Sequence, residues 1–279
     1  MGVTPQIEQL HRFVTQHPRV FVLSGAGLST DSGIPDYRDE QGNWKVSQPI
    51  QGPAFVRDAS VQKRYWARSV IGWRSFGQAA PNRGHRALAR LEALGIIAHV
   101  VTQNVDGLHQ RAGSREVTDL HGRLDRVICL DCEYTLPRRL LQAKLEAANP
   151  AYLDLRGPRA PDGDARLDHD DFEDFRLVPC PRCGGPLKPD VVFFGENVPA
   201  TRVENAMQAL ADSDAMLVVG SSLMVYSGFR FCREAQRLGL PMAAINRGKT
   251  RADDLFTLKV SDNCATTLDA LLTQCDTRA

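Results

Sequence analysis

The sequence has no long apolar run. Its longest uninterrupted apolar stretches are of the order of Ala215–Val219, far short of the roughly 20 residues that a bilayer-spanning helix needs. An excess of one charge sign is missing as well. Thirty-four basic and 33 acidic residues leave a formal net charge of +1, so no global field favours nucleic acid or an anionic membrane. Internal repeats are absent, and low complexity is confined to Asp162–Asp174, which holds seven carboxylates and one Arg and reads as a solvated loop. Met1 to Phe13 carries neither an apolar signal core nor an Arg-rich transit pattern, and Gln6 stands where a myristoylation signal needs Ser or Thr. A cytoplasmic location is therefore expected. What is present is ordinary globular composition: 279 residues, 43% hydrophobic and 24% charged, with 22 Gly and 16 Pro. That composition excludes disorder, collagen-like repeats and a small disulfide scaffold, and the length allows one large domain or two modest ones.

Cysteine usage is more specific. There are seven, an odd number, and four of them form the pairs Cys129-Leu-Asp-Cys132 and Cys180-Pro-Arg-Cys183. Disulfides are not expected in a chain without an export signal. Two Cys-x-x-Cys pairs, the second in Cys-Pro-Arg-Cys-Gly-Gly, are a strong signal for a tetrahedral four-thiolate zinc site. All four positions are filled, so the zinc is expected to be structural. The 47 residues between Cys132 and Cys180 exceed an ordinary zinc ribbon, but loop length costs little once a metal closes it. Free thiols or a redox pair are the plainer alternative.

Along the chain, helix and strand patterns alternate. Ile7, Leu10 and Val14 predict a short helix after a Thr4-Pro5 cap. Strands are predicted at 19–23, 96–101, around Val117, at 191–194, 215–219 and 242–245. Helices are predicted from Asn82 to a stop at Gly95, over 201–211, and over 229–238 before Gly239. Residues 39–80, with Trp44, Trp66 and Trp73, read as irregular or helical, and 125–187 breaks the rhythm. The pattern predicts an α/β fold, a Rossmann-like doubly wound parallel sheet with a smaller inserted zinc-binding and helical domain. The large domain is expected at about 1–42, 80–124 and 188–279, and the small one at about 43–79 and 125–187. In such sheets ligands bind at the carboxyl ends of the strands. The polar and glycine clusters at 24–27, 102–106, 121–122, 220–222 and 246–248 fall at those ends.

Gly25-Ala26-Gly27 after a strand lets backbone approach a pyrophosphate, with a following helix N-terminus expected to face its charge. The motif is incomplete. Thr30 replaces the third glycine of a dinucleotide fingerprint, and no acid stands about 20 residues on to hold a ribose. Gly33-Ile-Pro-Asp36-Tyr37-Arg38 then concentrates an acid, an aromatic and a guanidinium in one loop. Such a loop suits closure over a dinucleotide, with Arg38 on phosphate or ribose and Tyr37 shielding the reactive centre.

Gly-Ala-Gly-Leu-Ser29, Gly33–Arg38, Thr102-Gln-Asn-Val-Asp106, His121-Gly122, the two cysteine knuckles and Gly220-Ser-Ser222 occur in the order found in sirtuins. The chain resembles that family of NAD-dependent protein lysine deacylases over roughly residues 5–275. It most resembles class II, the branch with bacterial members, through Arg64–Arg68, Lys188–Glu196 and the insert between the cysteine pairs. The resemblance implies that NAD is consumed: the acyl-lysine oxygen attacks the nicotinamide ribose, nicotinamide leaves, and the acyl group ends on ADP-ribose. It implies His121 as catalytic base, a role that suits an imidazole near neutral pKa, with Asn104 and Asp106 beside it. It places Gly25, Ala26, Gly27, Ser29, Asp36, Tyr37, Arg38, Gln103, Asn104 and Asp106 on the cofactor. Gly220, Ser221, Ser222, Asn246, Arg247 and Cys264 are placed there too. Asp106 also reads as a helix N-cap, and Cys264 as a helix-start or core cysteine.

The family's peptide substrates add a strand between two edges, here Gly195-Glu196 and Val225-Tyr-Ser227. Val192 and Phe194 match the acyl-lysine tunnel, or form plain strand core. Tyr65 and Arg68, three apart, match the spacing with which another sirtuin branch reads an acyl carboxylate. Their plainer reading is a helical surface element. The expected partners are acylated-lysine proteins or peptides, with no nucleic acid and no membrane. Protein mono-ADP-ribosylation uses the same residues and stays open from sequence. A non-catalytic NAD or ADP-ribose sensor is disfavoured by the intact His121, Asn104 and Asp106, and a dehydrogenase by the missing ribose acid.

Overall fold

The computed structural model describes residues 4–45, 50–157, 160, 163–165 and 172–276. Helix α1 (Pro5–Gln16) starts as its sequence dictates. Thr4 accepts a hydrogen bond from the Ile7 amide, Pro5 occupies the first turn, and Ile7, Leu10, Phe13 and Val14 form one buried stripe. It leads into β1 (Val20–Ser24), whose five residues are all buried. Then come α2 (Gly52–Arg57), α3 (Ala59–Phe76), α4 (Arg83–Ala93), β2 (Ile97–Thr102), α5 (Leu108–Ala112) and β3 (Val117–Asp119). The middle of the chain contributes β4 (Gly122–Cys129), β5 (Thr135–Pro137), α6 (Arg138–Ala148) and β6 (Leu187–Val191). The last third comprises α7 (Ala200–Ala211), β7 (Ala215–Val219), α8 (Tyr226–Leu238), β8 (Met242–Ile245), β9 (Leu258–Val260) and α9 (Cys264–Asp276).

Six strands form one parallel sheet in the order β3-β2-β1-β7-β8-β9. This is a doubly wound, Rossmann-like arrangement whose order reverses between β1 and β7. Alternate residues feed opposite faces. Val20, Val22, Leu217 and Val219 pack with α1, α4 and α9 through Leu10, Leu88 and Leu268. Phe21, Leu23, Met216 and Val218 pack on the other side with α7 and α8 through Leu210 and Phe231. Helix starts and stops follow local chemistry. Asn82 caps α4 by accepting from the Gly84 and His85 amides. Gly95 and Gly239, at φ +77° and +70°, end α4 and α8 where they were expected to.

A second, antiparallel sheet, β5-β4-β6, lies outside the large one. Its core joins Val127, Cys129 and Leu187 to Tyr65, Trp66 and Val70 of α3 and Leu141 and Leu145 of α6. The strand expected at 191–194 is corrected here. The strand is β6, it ends at Val191, and it pairs with β4 in the second sheet. Beyond it the backbone leaves the sheet, so alternation does not govern Val192 and Phe194. Val192 N donates to the His121 carbonyl at 2.8 Å, and Phe194 bridges to Gln51. The two strands β4 and β6 also cross the boundaries expected near 124 and 188. The acidic stretch 162–174 falls mainly outside the described residues.

Candidate active site

Ligand space opens where the strand order reverses. A cavity of about 830 Å³ lies at the carboxyl ends of β1 and β7 and continues between the two sheets. Its floor is the contact of two glycine turns. A Cβ on Gly27 would stand 2.9 Å from Gly220 Cα, and one on Gly220, at φ +63°, only 2.4 Å from the Leu28 amide nitrogen. Only glycine permits that approach and that backbone. The α-helix expected after Gly25–Gly27 is not there. Two 3₁₀ turns, Ala26–Leu28 and Thr30–Ser32, take its place, so the loop meets a ligand through turn amides rather than a helix N-terminus.

Of the residues expected on the cofactor, Gly25, Ala26, Gly27, Asp36, Tyr37, Arg38, Gln103, Asn104, Gly220, Ser221, Ser222, Asn246, Arg247 and Cys264 all line the cavity. Ser29 and Asp106 do not. They form a layer behind it: Ser29 Oγ donates to Asp106 Oδ2 at 2.7 Å, and Asn104 Nδ2 donates to Ser29 Oγ at 3.0 Å and to the Gly25 carbonyl at 3.0 Å. Asp106 Oδ1 accepts from the Leu108 amide at 2.8 Å, but the N-cap of α5 is Gly107 and not Asp106, so the cap expected of Asp106 is replaced by a side-chain turn one residue earlier. Burial raises the Asp106 pKa, while the Ser29 and Leu108 hydrogen bonds act against that shift. The Asn104 amide is thus oriented through Asp106 and Ser29. Gln103 Nε2 donates to Ser221 Oγ at 2.7 Å, which ties the β2 end to the β7 end.

His121 sits between β3 and β4 at the cavity wall. Its Nδ1 lies 3.0 Å from the Gln103 carbonyl and its Nε2 2.8 Å from Ser227 Oγ. A carbonyl only accepts, so Nδ1 carries the proton and Nε2 is the basic nitrogen of the neutral ring. Burial lowers the His121 pKa, the Gln103 carbonyl partly counters this, and the charges of Arg202 and Arg230 lower it further. The ring is therefore neutral near pH 7 and able to take a proton.

The Asp36–Lys45 loop at the cavity is tied to itself. Arg38 donates to the Gly42 carbonyl at 2.7 Å and stacks 3.9 Å above Trp44, and Asp36 pairs with Lys45 at 2.6 Å. Trp44 meets Phe194 edge-on at 5.7 Å, closing an aromatic wall. Trp44 was not among the expected site residues, and only its place six residues after Arg38 hints at the contact. Asn246 Nδ2 holds the Gly248 carbonyl at 2.8 Å. Cys264 opens α9 with its thiol on the Ile245 carbonyl at 3.4 Å, pushed up to about 12 by burial, so it is an inert wall.

Of the residues expected on the substrate, Val192, Phe194, Glu196, Val225 and Tyr65 line the cavity, but Arg68 does not. The Arg68 guanidinium is engaged elsewhere, on buried Asp164 at 3.2 Å and the Ala165 carbonyl at 3.1 Å. Tyr65 is core-packed against Phe55 and Phe193. The expected Tyr-x-x-Arg pair is thus not assembled at the cavity, because α3 turns Arg68 toward the chain around Asp164. Glu196 is a latch, its carboxylate on Lys188 Nζ at 3.0 Å and on the Phe193 amide at 2.8 Å.

The four paired cysteines converge in the second sheet's turns. Their sulfurs all lie within 4.8 Å of one another, with Cys129–Cys183 at 3.5 Å and Cys132–Cys180 at 3.8 Å. Four thiolates at a Zn–S distance of about 2.3 Å sit about 3.8 Å apart at the corners of a tetrahedron, so the residues fit the ion. Amides of Arg182 and Gly185 point at Cys180 and Cys183 at 3.4 Å each, as a thiolate site requires.

Comparison with known proteins agrees with this geometry. Residues 25–227 match the Sir2 family, and the chain belongs to that family. A Xanthomonas campestris pv. campestris protein named NAD-dependent protein deacetylase is 59% identical over 96% of this chain and 92% of its own. NAD-dependent protein deacetylase 2 of Bradyrhizobium diazoefficiens is 57% identical, covering 95% and 97%. A solved structure described as Sir2-p53 peptide-NAD+ aligns with TM-score 0.77 at 29% identity, covering 97% of this chain and 99% of that one.

Proposed function

We propose that this protein is an NAD-dependent protein lysine deacetylase that moves the acyl group of an acyl-lysine to ADP-ribose and releases nicotinamide. The observation that carries the reading is His121. A neutral imidazole, its Nδ1 held by the Gln103 carbonyl, faces a cavity shared with the Gly25–Gly27 and Gly220–Ser222 turns and Asn104. NAD supplies an electrophilic ribose carbon whose leaving group is nicotinamide. The residues do the rest. The glycine turns seat the pyrophosphate, Asn246 and Arg247 meet the adenosine ribose, and Tyr37 and Arg38 close the loop. Asn104, held through Ser29 and Asp106, orients the nicotinamide-side ribose. His121 takes a proton from a ribose hydroxyl, so that the sugar oxygen attacks the activated acyl carbon, a contribution of about 10²–10⁴ in rate.

The acyl-lysine enters between Gly195-Glu196 and Val225–Ser227, where its backbone adds a strand. Solved Sir2 relatives include one bound to acetylated peptide and one bound to a propionylated peptide. Val192, Phe194 and Tyr65 give the acyl channel an apolar lining, which favours acetyl-like groups over carboxylated ones. Zinc on Cys129, Cys132, Cys180 and Cys183 is structural, since all four positions are filled by protein. The large unit is read as about 1–42, 80–124 and 188–279, with the small unit between. A thiolate metal site and further reduced cysteines suit the cytoplasm, and a net charge of +1 suits peptide rather than nucleic acid partners.

The test is incubation with NAD and an acetyl-lysine peptide, with products read by mass spectrometry. The reading expects nicotinamide and O-acetyl-ADP-ribose in equal amounts, both dependent on the peptide. ADP-ribose attached to protein without peptide deacetylation would overturn it in favour of ADP-ribosyl transfer.

A further inference from the structure

The proton-accepting nitrogen of His121 is already engaged. Nδ1 is committed to the Gln103 carbonyl at 3.0 Å, so the ring cannot turn over to offer a different lone pair without losing that bond. Nε2 has a single in-plane lone pair, and Ser227 Oγ sits on it at 2.8 Å. Ser227 lies in the first turn of α8, lines the same cavity as His121 and is half-buried. Its hydroxyl has no other hydrogen-bond partner among the described residues, and its own lone pairs stay available on the cavity side. A sugar hydroxyl that reached Nε2 directly would have to displace this bond. One that reached Ser227 Oγ would find an acceptor already linked to the base.

We propose that Ser227 is a catalytic residue that relays the proton from the ribose hydroxyl to His121. This rests on the reading of His121 as base. In the step, the ribose O–H bond breaks and its proton passes to Ser227 Oγ. The proton that Oγ held passes to His121 Nε2. The products are an imidazolium, a neutral serine and a sugar oxygen whose freed electron pair attacks the acyl carbon. A hydroxyl suits this place because it donates to the neutral imidazole and accepts from the imidazolium, so a buried nitrogen keeps a partner in both charge states. The cations that reach the ring, Arg202 on α7 and Arg230 on α8, disfavour the imidazolium and so favour onward release of the proton.

The relay acts after nicotinamide has left, and that separates it from a packing role. Ser227→Ala, Ser227→Thr and His121→Ala are compared in two assays: exchange of labelled nicotinamide into NAD with acyl-peptide present, and single-turnover formation of O-acyl-ADP-ribose. The expected result is that Ser227→Ala slows acyl transfer about 10–100-fold more than it slows exchange, with Thr restoring transfer. Wild-type transfer in Ser227→Ala overturns the relay. So does equal loss in Ala and Thr, or an equal loss of exchange and transfer in Ser227→Ala. If His121→Ala itself transfers at the wild-type rate, the base assignment falls first. If His121→Ala is slow and Ser227→Ala is not, only the relay falls.

Discussion

In the parallel sheet every residue of Val20–Ser24 and of Ala215–Val219 is buried. In the antiparallel sheet β4 buries only four of its eight residues, with Arg126 exposed, and β5 exposes two of its three residues. The large unit therefore holds itself by two apolar layers, one on each face of a six-stranded sheet. The small unit has an aromatic core on one face, around Phe55, Tyr65, Trp66 and Phe175, and four clustered thiols at its far turns. Chemistry follows the same division. The glycine turns at the cavity and Asn104 follow the buried parallel strands. Val192 and Phe194 come from the chain leaving β6, and His121 stands at the passage from one sheet to the other. On the proposed function, the parallel sheet would carry the cofactor and the thiol-bearing module part of the acyl channel.

The sharpest way to break this contrast is to remove the metal. Structural zinc supplies on the order of 10 kcal/mol to a thiolate site. Chelation, or Cys129→Ser, should therefore raise hydrogen exchange through β4, β5 and β6 while Val20–Ser24 stays protected. Uniform exchange in both sheets would show that the two units do not differ in this way. Acid should strike the large unit next. Burial lowers His85 to about 2 and His109 to about 4. Both folded values lie below the usual 6.5, so the unfolded chain binds these protons first and stability falls as pH drops below about 6.5. Between pH 7 and 5 the loss is about 2 kcal/mol per ring, read by denaturant titration against a His109→Asn variant that should show a shallower slope. Asp106 and Asp119, raised by burial, act in the opposite sense at lower pH. A flat profile from pH 7 to 5 would contradict the burial argument.

Smaller effects refine the picture. Gly220→Ala forces a Cβ to 2.4 Å from the Leu28 nitrogen at positive φ. It should cost about 2 kcal/mol in stability and weaken NAD binding, measured by calorimetry, without disturbing zinc content. Arg68→Ala removes the partner of buried Asp164. It should lower stability by about 1–3 kcal/mol and leave the ratio of acetyl to glutaryl turnover unchanged. A changed ratio would return Arg68 to the acyl channel.

Much of this was legible from residue order. Gly25–Gly27 after a mostly apolar strand, Gly220 after an all-apolar one, and two Cys-x-x-Cys pairs carry their geometry in their spacing, because a turn glycine and a metal knuckle are local devices. Long-range geometry was not legible. Lys188–Val191 reads the same whether it joins a parallel or an antiparallel partner, and only the pairing with β4 decides. Arg68 has the right spacing from Tyr65, but its direction depends on Asp164, nearly a hundred residues away. The contact of Ser227 with His121 joins residues 106 positions apart, and no local pattern announces it. Leu258–Val260 is too short for a periodic signal, so β9 emerges only from its pairing with β8.

The central claim is that His121 serves the sugar of the dinucleotide. A crystal structure of the protein with NAD and an acyl-lysine peptide tests it most directly. The account predicts a nicotinamide-side ribose hydroxyl within hydrogen-bond reach of the His121–Ser227 pair. A ribose lodged elsewhere in the cavity, with His121 Nε2 and Ser227 Oγ both remote from its hydroxyls, would contradict it.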